Sequence, residues 1–157
     1  MRGLTYATLF ISFVLVFLPS QVLVRAGVTT PAAIGLAQAT GGLAVIVGLS
    51  LAIWCVLAFG IIGKGTPAPF DPPRRLVVRG PYRYVRNPMY VGAIVGLAGA
   101  SLFYESLALA GFTILFAAVV HLFVLFYEEP TLARLFGADY TEYRRHVARW
   151  TPRTGAL

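Results

Sequence analysis

From Ala32 to Ile62 the chain carries no charged side chain. As a helix these thirty-one residues would extend ~46 Å, more than the ~30 Å of a bilayer core and too little for two crossings with a turn between them. A membrane span is therefore expected over about Gly42–Ile62, with Ala32–Thr40 as an interfacial or tilted extension. Thr29-Thr30-Pro31 restarts the chain before it, because threonine caps a helix and proline fits its first turn. Gly41, Gly42 and Gly48 suit close approach of a neighbouring helix. Only 12% of the residues are charged and 58% are hydrophobic, where a soluble domain has about a quarter charged. One integral membrane domain over residues 1–157 is expected.

Three further apolar runs follow the same logic. Leu4–Val24 is a first span between Arg2 and Arg25; it is long for a signal peptide, and no small-x-small cleavage site follows. Met89–Tyr104 is a short third span, rich in glycine and alanine at Gly92, Gly96 and Gly99. Leu107–Tyr127 is a full-length fourth span, joined to the third through the tight tip Glu105-Ser106 as a helical hairpin. Beyond Glu128-Glu129 the tail reads as amphipathic, with Leu132, Leu135 and Phe136 on one face. Gly137 interrupts it, and Asp139 with Glu142 has capping-box spacing for a last helix through Val147. The fold class is all-α: a polytopic membrane protein of four spans, a cytoplasmic loop over residues 64–88 and a helical tail over 128–157.

The net charge of +7 sorts onto one side of that topology. Lys64, Arg74, Arg75, Arg79, Arg83 and Arg86 lie in the loop, and Arg134, Arg144, Arg145, Arg149 and Arg153 in the tail. With Arg2, that is twelve of thirteen basic residues, which orients both termini to the cytoplasm. Orientation and contact with membrane lipids account for the charge, so no nucleic-acid partner is needed, and no obligatory protein partner is evident. The lone cysteine, Cys55, lies in an apolar run and reads as a packed thiol; no disulfide framework or cysteine metal site is possible.

Two polar clusters meet where the hairpin reaches the cytoplasm. One is the dense stretch Gly80-Pro81-Tyr82-Arg83-Tyr84-Val85-Arg86-Asn87-Pro88-Met89-Tyr90-Val91-Gly92; the other is Glu128-Glu129. Acids at the mouth of an apolar bundle are costly unless paired or hydrated. They either pair with Arg83 or Arg86 and mark the boundary, or one of them meets a cationic ligand in a pocket lined by the tyrosines. His121 lies seven residues before Glu128, about two turns, and shares its face. It either bonds to a neighbouring helix or lines the site as a substrate contact or base.

The ordered motifs Arg74-Arg75-Leu76-Val77, Gly80-Pro81-Tyr82 and Arg86-Asn87-Pro88-Met89-Tyr90-Val91-Gly92 are followed by Glu128-Glu129, Leu132, Phe136-Gly137, Tyr140, Tyr143 and Val147-x-Arg149-Trp150-x-Pro152. Together they resemble the isoprenylcysteine carboxyl methyltransferases, within a wider group that includes phospholipid N-methyltransferases. The resemblance covers roughly residues 60–153. It implies a multi-span enzyme that uses S-adenosylmethionine, releases S-adenosylhomocysteine and binds the cofactor at the cytoplasmic end of the last hairpin. The implied cofactor contacts are Arg74, Arg75, Leu76, Val77, Tyr82, Asn87, Pro88, Met89, Tyr90, Glu128 and Glu129, with a lipophilic acceptor entering from the bilayer. Asn87 and His121 are the candidate catalytic residues.

Two positions depart from the family pattern. Asn87 stands where the best-known members have histidine; it can position a group but cannot act as a base near neutral pH. Val124 stands where prenylcysteine methyltransferases place an arginine for the substrate carboxylate, which removes support for a prenylcysteine substrate. Two other classes compete: a reductase of the sterol-reductase type using NADPH, and a non-catalytic lipid-binding membrane protein.

Overall fold

The computed structural model describes residues 9, 11–28, 30–31, 34–58 and 76–152. Among the described residues the chain is helical without strands, apart from one isolated parallel bridge between Val85 and Ala148. Helix α1 covers Phe13–Arg25, α2 Leu36–Ala58 and α3 Pro88–Phe103. Helix α4 covers Leu107–Phe123 and runs through a π turn, Val124–Glu128, into α5, Glu129–His146. Among the described residues two helical runs are long and apolar enough to cross a membrane: Leu36–Ala58 and the one that begins at Leu107. Helix α3, with 16 residues, is ~24 Å long and α1 is shorter. The start of the expected first span and the end of the second, residues 59–62, lie outside the described residues.

Helices α2 and α3 pack more extensively than any other pair, and glycine is the reason. Their antiparallel register sets Gly41 against Gly99 and Gly48 against Gly92. A Cβ on Gly99 would lie 2.6 Å from the Gly41 carbonyl oxygen, and one on Gly92 2.7 Å from that of Gly48. A Cβ on Gly48 would collide with the Gly92 carbonyl. The obstacle is backbone in every case, which cannot swing aside. Where lipid supplies no hydrophobic drive between helices, such close backbone packing holds them together.

The α3–α4 hairpin forms as expected. Glu105 takes a positive φ of 48° at the tip, and the Ser106 side chain caps α4 by accepting from the Leu109 N–H at 3.3 Å. Ser101 and Thr113 hydrogen-bond across the hairpin at 3.2 Å.

The second span's helix begins at Leu36, inside the expected extension over Ala32–Thr40. Helix α4 continues into α5. Three expectations need correction. Gln38 rather than Pro31 organises the start of α2: Gln38 Oε1 accepts from the Gly35 N–H and Nε2 donates to the Phe103 carbonyl. Glu142 makes no cap; it pairs with Arg145 at 3.2 Å and approaches His146 at 3.4 Å. Leu135 is exposed, whereas Leu132 and Phe136 pack on the cluster of Tyr140, Tyr143 and Val147. Gly137 does interrupt the tail, as a kink with φ 49°.

The two π turns share a cause. Phe13–Phe17 and Val124–Glu128 each end two residues before a proline, Pro19 and Pro130. Proline clashes with the carbonyl four residues back and offers no N–H to it, and one wider turn relieves the clash without ending the helix.

Replacing Gly48 by valine is expected to lower stability by about 3 kcal/mol, since neither backbone can yield. Replacing Gly111 by alanine, where a Cβ meets nothing within 4 Å, should stabilise by about 0.5–1 kcal/mol. Thermal unfolding in detergent compares the two; equal losses would rule out close approach as the cause.

Candidate functional site at the mouth of the hairpin

The loop before α3 is held by the tail. A 3-10 turn, Gly80–Arg83, buries Pro81 and Tyr82, with Gly80 at φ 63° against Trp54. The Tyr143 hydroxyl donates to the Tyr82 carbonyl at 2.6 Å, and the Arg86 N–H donates to the Ala148 carbonyl at 2.9 Å beside the Val85–Ala148 bridge. Pro88 opens α3 and is fully buried.

At the centre sits Glu129, only 6% exposed. Arg149 meets it through both carboxylate oxygens, Nε to Oε1 at 2.6 Å and the guanidinium NH2 to Oε2 at 2.9 Å. Arg86 reaches Oε1 at 3.1 Å and donates to the Tyr140 hydroxyl at 3.3 Å. Burial alone would raise the Glu129 carboxyl, but the Arg149 hydrogen bonds and the charges of Arg86 and Arg149 outweigh it and hold it below the usual range. The same bonds raise Arg149.

Glu128, the first residue past the apolar segment, has the opposite environment. Its one hydrogen bond is from the Tyr90 hydroxyl to Oε2 at 3.1 Å, and no cation pairs with it among the described residues. Burial pushes its carboxyl up, the Tyr90 bond opposes that, and the charge of Glu129 adds to it. Burial also pushes the Tyr82 phenol up, and the charge of Glu128 pushes it further. Tyr90 and Glu128 therefore meet at one polar spot, with Tyr82 near enough to feel its charge.

The remaining sequence candidates occupy other places. Glu129 is committed to the arginines. Val77 and Met89 pack with Cys55, Ala58 and Tyr82, and Leu76 packs with the Tyr140 cluster. Asn87 is buried and its Nδ2 donates to the Arg149 carbonyl at 3.3 Å. His121 accepts at Nδ1 from the Trp150 indole N–H at 3.1 Å. The π turn shifts the register by about one residue, on the order of 100°. Glu128 is thus rotated off the face it would share with His121 in a regular helix. Arg74 and Arg75 lie outside the described residues. The pairing of an acid with Arg86, one of the two readings the sequence offered, is present on Glu129. Sequence reasoning left Arg149 and Trp150 off the site, although both stand in a quoted motif.

The adjacent acids predict opposite responses to charge removal. Glu129, held low, stabilises the fold above the ordinary carboxylate range, and that contribution is lost as pH falls through its folded value. Glu128, held high, carries an ionisation penalty at neutral pH that is relieved as pH falls through its raised value. Glu129→Gln should destabilise the ligand-free protein by roughly 3 kcal/mol or more, by stranding Arg86. Glu128→Gln should stabilise it at pH 7. Melting midpoints of both variants from pH 4 to 8 provide the check.

A profile of the phospholipid methyltransferase family matches residues 36–139. The chain is 32% identical over 101 residues to the nickel-cobalt-cadmium resistance protein NccN of Alcaligenes xylosoxydans xylosoxydans, covering 64% of this chain and 43% of that one. It is 31% identical over 112 residues to the cobalt-zinc-cadmium resistance protein CzcN of Cupriavidus metallidurans, covering 69% and 47%. It is 33% identical over 96 residues to methanethiol S-methyltransferase 1 of Bradyrhizobium diazoefficiens, covering 59% and 30%. The chain thus spans less than half the length of these relatives. No solved structure matches. With the profile covering helices α2 to α4 and most of α5, including Tyr82, Tyr90 and Glu128, the chain belongs to the phospholipid methyltransferase family.

Proposed function

We propose that this chain is a membrane methyltransferase that uses S-adenosylmethionine to methylate a lipophilic acceptor. One observation carries the reading: Glu128 is a half-buried carboxylate at the mouth of the hairpin with a tyrosine for a partner and no cation among the described residues. An acid in that state at the end of an apolar bundle suits a cationic ligand. S-adenosylmethionine, whose sulfonium supplies the methyl group, also carries an ammonium, and both suit a carboxylate framed by Tyr82 and Tyr90.

In this reading Glu128 and Tyr90 bind the cofactor's cationic part and Tyr82 frames it, with Val77 and Met89 packed behind Tyr82, Asn87 tying the loop to the tail, and Arg74 and Arg75 as further contacts from the loop. Glu129 acts from behind, by holding Arg86 and Arg149. The apolar bundle excludes water, and positioning and desolvation supply most of the acceleration. Four spans, with α1 and α3 as the shorter two, put both termini and the basic loop on the cytoplasmic side. The acceptor enters between helices from the bilayer. Val124, fully buried in the π turn, offers no charge to a prenylcysteine carboxylate, so the acceptor is of another kind.

Calorimetric titration separates the alternatives. S-adenosylmethionine should bind the wild type and NADPH should not; the reverse result would favour the reductase, and binding of neither a lipid-binding role. Tyr90→Phe should weaken S-adenosylmethionine about tenfold, one hydrogen bond to a charged group, and Glu128→Ala by more than that. Unchanged affinity in both variants would sink the assignment.

A further inference from the structure

Past the kink at Gly137 the tail turns back to the apolar bundle. Tyr143 reaches the loop and donates to the Tyr82 carbonyl at 2.6 Å. Tyr82 in turn packs on Cys55 and Ala58 at the end of α2, and Gly80 lies against Trp54 of the same helix. Arg144, next to Tyr143, and Arg79, next to Gly80, are therefore set at the level where α2 ends. Trp54, Tyr84 and Tyr127, each about half exposed, border this end of the bundle, as aromatic rings do at a membrane surface. Arg134 is exposed on α5 between Glu129 and the kink, ~8 Å along the axis from Glu129.

This end of the molecule is unbalanced in charge. Inside, Arg86 and Arg149 face Glu129. Outside, Arg79, Arg83, Arg134, Arg144 and Arg145 are exposed among the described residues, against Asp139 and Glu142. Glu142 is engaged by Arg145 and His146. Arg79, Arg134 and Arg144 have no carboxylate partner among the described residues. The Arg144 guanidinium lies over the Tyr140 ring, 5.9 Å from its centroid. Stacking restrains that group and leaves its in-plane N–H donors for an anion. Orientation of the chain requires basic residues on one side of a membrane; it does not require a tail that folds back and lays them at the surface.

We propose that Arg79, Arg134 and Arg144 form a binding surface for anionic phospholipid headgroups, which hold the loop, α5 and the end of the tail together around the mouth. The inference rests on the membrane placement of α2 and α4, and not on methyl transfer.

The three arginines come from three segments, so a bare rim sets like charges on pieces that must dock. An anionic headgroup replaces that repulsion with attraction to each of them. Its phosphodiester oxygens match the planar guanidinium, which can donate to two of them at once. Each basic residue near an anionic leaflet strengthens attachment about fivefold. That gain fades within about 10 Å of the surface at 0.1 M ionic strength, so the depth of Arg79 and Arg144 decides it. Phosphate free in water would meet the arginines singly, whereas a bilayer supplies headgroups at high density in the plane where they lie.

Two measurements on the full chain test this. In nanodiscs of equal parts phosphatidylcholine and phosphatidylglycerol, native mass spectrometry counts the lipids that stay with the released protein. Phosphatidylglycerol should be retained about fivefold or more over phosphatidylcholine. Equal retention by the wild type overturns the proposal without any variant having to fold. The second measurement is thermal unfolding. Moving the wild type from pure phosphatidylcholine to the mixture should raise the midpoint by about 2–4 °C. The triple variant Arg79→Gln, Arg134→Gln, Arg144→Gln should lose both the enrichment and the rise, and Arg25→Gln, across the membrane in the proposed topology, should keep them. A triple variant that still enriches phosphatidylglycerol overturns the assignment to these arginines. A rise reproduced in phosphatidylcholine by inorganic phosphate overturns the lipid as its source. None of these readouts involves S-adenosylmethionine, so failure here leaves the proposed function standing.

Discussion

The mouth of the hairpin depends on one anion shared by two cations. Glu129 comes from the helix leaving the apolar layer, Arg86 from the loop before α3 and Arg149 from the strap. Small apolar clusters around Tyr82 and around Tyr140 and Val147 pack beside these segments, and among the described residues of the loop the regular structure is a single 3-10 turn. A buried ion pair is not by itself a strong source of stability, because desolvation consumes much of the Coulomb gain. Its value here is positional. The bidentate Arg149 contact permits one orientation of the strap, which carries Ala148 to Val85 and Trp150 to His121.

Farther into the bundle the constraint is steric. Gly41 and Gly48 on α2 and Gly92 and Gly99 on α3 bring two backbones into contact, and that register decides where α3 ends. Since Tyr90 lies in the first turn of α3, the glycine pairs set the depth of one side of the site. The π turn sets the other side. Pro130 forces a wide turn, and that turn aims Glu128 and Glu129 at different neighbours.

The helices, the hairpin and its tip were legible in the sequence because apolar length, glycine spacing and the Glu105-Ser106 punctuation are local signals. The convergence of Tyr90 with Glu128 followed from antiparallel geometry alone. The fates of Glu129 and His121 did not. Each is decided by a residue near the end of the chain, Arg149 or Trp150, whose path depends on a kink at Gly137 that periodicity cannot direct. The rotation between His121 and Glu128 was hidden as well, since counting in sevens presumes an unbroken α-helix. Pro130 was the available warning: a proline in the second position of a continuing helix implies a distortion upstream.

Adjacent glutamates with opposite surroundings separate structure from function at a single peptide bond. Had both acids been paired with arginine, the mouth would be neutralised and a cationic ligand would find no charge to meet. Had neither been paired, two uncompensated carboxylates would stand side by side in a poorly hydrated mouth, and repulsion would favour protonation of one. Pairing Glu129 twice and Glu128 with tyrosine alone keeps one acid ionised for the scaffold and leaves the other without a cation. Under the proposed function, the penalty on Glu128 in the ligand-free state is what binding a cation would remove, so the residue that gives the scaffold least is the one that occupancy would favour.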